Sequence, residues 1–92
     1  MTVRSVEGAF TTSGVSDILK DAGKDLVNIL IKFTDSGVVI VEESSDDGVT
    51  WFPSKTFTVC TSGTFQNTES GTWFRFNCTT VQGSVYCRMS AS

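Results

Sequence analysis

Residues 37–51 read GVVIVEESSDDGVTW, and this stretch decides the fold class. Side chains alternate across an extended chain, so Val39 and Val41 share one face while Val38 and Ile40 share the other. Asp46-Asp47-Gly48 then turns the chain into Thr50–Phe52. The turn has the form S-x-D-x-G-x-T-W, with Ser44, Asp46, Gly48, Thr50 and Trp51 in the fixed places. Each has a structural task. Asp46 accepts hydrogen bonds from turn amides. Gly48 supplies a backbone angle closed to other residues. Thr50 suits the outgoing strand, and Trp51 lays a large apolar plate over the hairpin. A strand that is apolar on both faces is covered on both. In 92 residues the second cover is either another subunit or a loop folded over the strand.

Working outward, strand patterns recur almost throughout. Val6–Thr12 alternates loosely as a short first strand. Val15–Lys20 is too short for a typical helix before the turn at Asp21-Ala22-Gly23, and reads as a strand. Lys24–Phe33 is the clearest strand, with Val27, Ile29, Ile31 and Phe33 on one face. Asp35-Ser36-Gly37 turns the chain into Val38–Ser45, as in a hairpin. Pro53 interrupts the strand after the central turn, which fits an edge or a strand end. Lys55–Cys60, Thr64–Glu69, Gly71–Val81 and Ser84–Ser90 complete the set. Turn signals at roughly 8–12 residue spacing are those of a sandwich or barrel. The expectation is an all-β fold, a small antiparallel β-sandwich or barrel of about 7–8 short strands. Residues 1–92 form a single β domain, with 1–10 a candidate extended N-terminal arm.

Composition narrows the function. Hydrophobic residues make up 39% and charged residues 18%, an ordinary balance for a folded chain. The net charge is −3, and the seven Lys and Arg are scattered. Nucleic-acid binding needs a basic patch, and none is visible. No apolar run reaches the roughly 18 residues that span a bilayer, and MTVRSVEGAF lacks the apolar core of a signal peptide. A soluble chain made in a cytoplasm is expected. There is no His, which removes Ser–His and Cys–His catalysis and Cys2His2 zinc. Glu42, Glu43, Asp46 and Asp47 lie close together but lack the spacing of a calcium loop. Glu42 and Glu43 are adjacent on a strand and point to opposite faces, so they cannot share a cleft as an acid–base pair. No enzymatic activity, cofactor or metal site is expected.

Cys60, Cys78 and Cys87 lack C-x-x-C spacing. With Gln82-Gly83 as a two-residue hairpin loop, Val81 pairs with Ser84 and Cys78 with Cys87. That pair falls at a non-hydrogen-bonded position, where side chains approach closest. A Cys78–Cys87 disulfide is one reading; two small apolar thiols kept reduced is the other, and is preferred. Cys60 is left over in both.

The S-x-D-x-G-x-T-W turn resembles the Asp-box hairpin of sialidase propeller blades. In that family the motif is structural and lies away from the catalytic centre. A propeller needs several four-stranded blades, and 92 residues with one box cannot supply them. The wider order of features resembles small β-sandwich virion proteins of tailed bacteriophages. The residues that carry this resemblance are Gly37, Ser44, Asp46, Gly48, Thr50, Trp51, Phe74, Arg75, Cys78, Gly83, Val85 and Arg88. The departure is Asp47, where the pattern has Gly.

The resemblance implies a structural protein of a phage particle, located in the virion and assembled in the host cytoplasm. Its role would be that of a capsid cement or decoration protein bound to the major capsid lattice, with a head–tail, tail or fibre component as the alternative. Its partners would be the major capsid protein or another virion protein, and a homo-oligomer, with a trimer favoured by analogy with three-fold capsid sites. The interface candidates are Val3, Val6 and Phe10 in the arm, and Val38 and Ile40 on the doubly apolar strand. A carbohydrate-binding sandwich using Trp51, Trp73 or Phe74 as a stacking platform is a further reading. Alternation allows at most one of Trp73 and Phe74 to be core.

Overall fold

A computed structural model describes residues 4–20, 26–67 and 71–91. Among them the chain forms eight strands: β1 (Arg4–Phe10), β2 (Gly14–Val15), β3 (Leu26–Phe33), β4 (Ser36–Ser44), β5 (Phe52–Phe57), β6 (Thr61–Gln66), β7 (Trp73–Gln82) and β8 (Val85–Ala91). They build two four-stranded sheets, β1-β8-β3-β6 and β2-β7-β4-β5, with antiparallel pairing throughout. This is the strand order of a jelly roll.

One consequence of that order governs the rest. Among the described strands, only β4 and β5 are consecutive in sequence and adjacent in a sheet. Every other connection passes from one sheet to the other. Among the described strands, the turn within residues 44–51 is therefore the one that closes a sequential hairpin.

The core lies between the sheets. Val27, Ile29 and Ile31 of β3 and Val85, Cys87, Met89 and Ala91 of β8 face Val39 and Val41 of β4 and Phe74, Phe76 and Cys78 of β7. The alternating pattern of β7 and β8 in the sequence is what one buried face requires. Phe65 meets Phe74 edge-on, with centroids 5.4 Å apart and planes at 70°, a favoured aromatic geometry. Leu19 closes the core from the segment after β2. Phe74 and Phe76 are the largest fully buried side chains; truncating either to Ala would cost about 3–5 kcal/mol.

The segment expected as a strand over Val15–Lys20 is only partly one. Val15 ends β2, and Leu19 makes an isolated bridge to Phe74. Between them the Ser16 hydroxyl takes the place of a ladder carbonyl, accepting the Phe76 N–H at 2.9 Å while the Ser16 N–H donates to Phe76 O. A side-chain acceptor lets the chain leave strand geometry without orphaning a buried amide.

Two expected hairpins are corrected. β3 and β4 lie in different sheets, as do β7 and β8. The corners at Thr34–Asp35 and Gly83–Ser84 are instead bonded to each other, through Thr34 N to Ser84 O at 2.9 Å and Ser84 N to Thr34 Oγ1 at 2.8 Å. Gly83 has φ 78°, and a side chain there would collide with Thr34 and Asp35. Pro53 does not end its strand: β5 runs through it, as an edge strand permits.

Candidate functional site

The loop from Ser44 to Trp51 is closed by the Glu43–Phe52 pair of β4 and β5. Its bonds follow from three side chains. Ser44 is fully buried, and its hydroxyl donates to Asp46 Oδ1 at 2.7 Å while accepting the Gly48 N–H at 3.0 Å. Asp46 Oδ1 also accepts the Thr50 N–H at 2.8 Å. The Ser44 hydroxyl, then the Thr50 amide, favour the charged carboxylate and hold the Asp46 pKa down at about 2. The Trp51 indole N–H donates to Gly48 O at 3.0 Å. Asp47 and Gly48 have φ 60° and 84°, so the turn asks for left-handed backbone at two successive residues. That explains why the pattern carries Gly at position 47, and why Asp, which tolerates this region, can replace it.

Side chains on the outer face of the β7-β4 pair brace the loop from behind. The Arg75 guanidinium stacks 4.3 Å from the Trp51 ring centre and bonds Glu42 Oε1 through Nε at 2.8 Å. Asn77 Nδ2 donates to Glu42 Oε2 at 3.3 Å. The second indole, Trp73, lies against Gly48, where a Cβ would stand 3.2 Å from its ring. Lys20 Nζ sits 5.4 Å from the Trp73 ring centre. Phe74 is core and Trp73 is on the outer face, as alternation requires. Glu42 is engaged with Arg75 and Asn77, and Asp46 is engaged within the loop, so these carboxylates do not converge.

Beside the exposed Ser45, Asp46, Asp47 and Thr50, this loop sets two apolar side chains in water. Val49, beside its left-handed turn, is 83% exposed, and Phe52 at its base is 58% exposed. Phe52 also lines a cleft of about 120 Å³ with Glu43, Ser44, Ser45 and Thr72. The sequence analysis gives each fixed position of residues 44–51 a structural task. The same loop that is tied together by these bonds leaves Val49 in water. The signal was available: Val49 occupies a free position of the turn pattern, where a β-branched apolar residue has no structural task.

The expected interface residues fare differently. Val3 lies outside the described residues. Val6 and Phe10 are not on a free arm; they pack against the core from β1. Residues 4–10 pair with β8 over seven register positions, because their apolar residues alternate and complete the sandwich. Val38 and Ile40 do face outward and are half-buried. Val38 lines an open groove of about 520 Å³ with Ser36, Gly37, Thr80, Val81 and Gln82.

Cys78 and Cys87 are free, buried thiols. The cross-strand pairing expected for them does not form, since Cys78 is opposite Val39 and Cys87 opposite Ile31. Burial pushes the Cys87 thiol up to about 12, and raises Cys78 as well. Cys60 is exposed and accepts the Phe33 N–H at 3.3 Å.

No protein-family model and no curated protein matches the sequence. Solved structures share the fold. The protein YomS, derived from the SPBc2 prophage, superposes with a TM-score of 0.72 at 10% identity, over 99% of this chain and 95% of that one. The mitogen YPM of Yersinia pseudotuberculosis superposes with a TM-score of 0.57 at 12% identity, over 98% and 85%.

Proposed function

We propose that this chain is a non-enzymatic structural protein of a bacteriophage particle, a decoration protein that docks on the capsid lattice and stabilises it. The observation that carries the proposal is the braced loop at 44–51. It holds Val49 and Phe52 in water on a backbone fixed by five hydrogen bonds from and to Ser44, Asp46 and Trp51. Exposing apolar side chains on a rigid support is unfavourable for a free monomer and favourable for a protein that buries them in a partner. The partner chemistry is a protein surface with an apolar recess. Repetition over a lattice makes such a small contact sufficient, because many weak contacts act together. The likeness in fold to a prophage-derived protein fits the same reading.

The test is quantitative mass spectrometry of purified particles of the encoding virus, followed by a map of the particle. Many copies on the capsid surface, with loop 44–51 at the contact, is the expected result. Absence from the particle overturns the proposal. A few copies at the neck or tail would move the protein to the head–tail or fibre role.

A carbohydrate-binding role has one observation in its favour, the pair of half-exposed indoles on the outer face beside Glu42 and Asn77. Against it, Arg75 lies over Trp51 and Lys20 over Trp73, occupying ring faces a sugar would stack on. Binding on a glycan array that Trp51→Ala abolishes would restore it.

A further inference from the structure

We propose that two copies of this chain join edge to edge through β6, about a two-fold axis at Thr64. The two β1-β8-β3-β6 sheets would then form one continuous sheet of eight strands.

The inference starts from how the four sheet edges are protected. An edge strand offers unpaired N–H and C=O groups to any other strand, and folded proteins blunt such edges with charge, proline, bulges or shortness. β1 carries Glu7, and β2 has two residues. β5 carries Pro53 and Lys55, and its pairing with β4 is broken by a register shift at Val41/Glu42. β6 has none of these devices. Its sequence, TSGTFQ, lacks charge and proline, and it pairs with β3 in unbroken register from Thr61 to Gln66. Among the described strands β3 is its one partner. Ser62, Gly63 and Thr64 are exposed.

The occupant is a second copy because the strand complements itself. A two-fold axis normal to the sheet pairs residues that point to the same face. Centred on Thr64, it sets Thr64 opposite Thr64, Gly63 opposite Phe65, and Ser62 opposite Gln66. A Cβ built at Gly63 meets nothing within 4 Å, so space is open where the partner's Phe65 would lie. An aromatic residue across from an edge glycine covers bare backbone, and Thr–Thr is a favourable cross-strand pair. No like charges face each other along β6 itself. Among the described residues, Lys55 brings a charge near it, 5.2 Å from the Phe65 ring centre. Two such ammonium groups approach the seam, so added salt strengthens the pair. The isologous contact closes at two copies, in place of the trimer expected from capsid symmetry. It is independent of the docking role of loop 44–51.

Sedimentation equilibrium of the full chain tests the proposal. The expected mass is twice 10.0 kDa, falling to that of one chain for Gly63→Lys and for Thr64→Lys, with the circular dichroism spectrum unchanged. Gly63→Lys suits the test because its side chain enters open space. In a Cys60→Ser background, Thr64→Cys should cross-link into a covalent pair on mild oxidation, since the axis puts the two thiols opposite each other. If the lysine variants do not fold, the cross-link decides alone. A wild-type monomer, a trimer, or a dimer indifferent to the lysine variants overturns the proposal, as does failure of Thr64→Cys to cross-link.

Discussion

Thr34 and Ser84, fifty residues apart, hold each other's backbone: the Thr34 N–H donates to Ser84 O, and the Ser84 N–H donates to Thr34 Oγ1. The contact joins the two corners at which the chain leaves one sheet for the other. Removing the hydroxyl with Thr34→Val should cost about 1 kcal/mol, the net worth of an ordinary hydrogen bond. In a domain of this size that lowers Tm by roughly 4–8 °C. Gly83→Ala should cost more, because it adds a Cβ in left-handed backbone against Thr34 and Asp35. Thermal melts followed by circular dichroism check both.

The Asp46 carboxylate ties the loop together only while ionised. Its folded pKa of about 2 lies below the ordinary 3.8. The stabilisation is therefore full above the ordinary value, and is lost as pH falls through the folded one. Loop amides of Gly48 and Thr50, followed by NMR, should stay unperturbed at pH 4 and shift with a midpoint near 2. A midpoint at the ordinary carboxylate value would refute the bonding described. Asp46→Ala should lower Tm at neutral pH and converge with wild type at the acid end.

Asp47 stands in left-handed backbone at φ 60°. Asp47→Val should destabilise by about 1–2 kcal/mol, the cost of that region for a side chain branched at Cβ. Asp47→Gly should be close to neutral, since relief of strain is offset by greater freedom in the unfolded chain. Denaturant titrations that ranked the two the other way would contradict the turn geometry.

Thiol chemistry separates the three cysteines. Ellman's reagent should label Cys60 in the native protein and all three after denaturation. Cys78 and Cys87 are buried with raised pKa values, and the thiolate is the reactive form. Non-reducing mass spectrometry should find no intramolecular bridge.

Val49→Asp and Phe52→Lys test the docking surface. Both residues are exposed, so each change should leave the stability within about 0.5 kcal/mol of wild type, as surface substitutions do. Each should nonetheless reduce occupancy on particles by tenfold or more. Unchanged occupancy would place the contact elsewhere on the molecule.

The strands were legible because their information is local. Phe74, Phe76 and Cys78 on β7 alternate with Arg75 and Asn77, and Val27, Ile29 and Ile31 on β3 recur at every second position, a pattern that one buried face is enough to produce. The S-x-D-x-G-x-T-W turn was legible too, since Ser44, Asp46, Gly48 and Trp51 bond within eight residues of one another. Val15–Lys20 was misread as a full strand because the Ser16 hydroxyl, in place of a backbone carbonyl, bonds an amide sixty residues away.

By itself, then, the sequence determined the all-β class, the core faces of β3 and β7, and the turn in which Asp46 accepts a backbone amide. Only the tertiary structure decided which strands are neighbours. A short turn such as Gln82-Gly83 can lead the next strand back beside the last or across to the facing sheet. The local chemistry is the same in both cases, and the choice is made by the burial of both inner faces together. That choice separated Cys78 from register with Cys87, packed Val6 and Phe10 against the core, and left β6 with an uncovered edge.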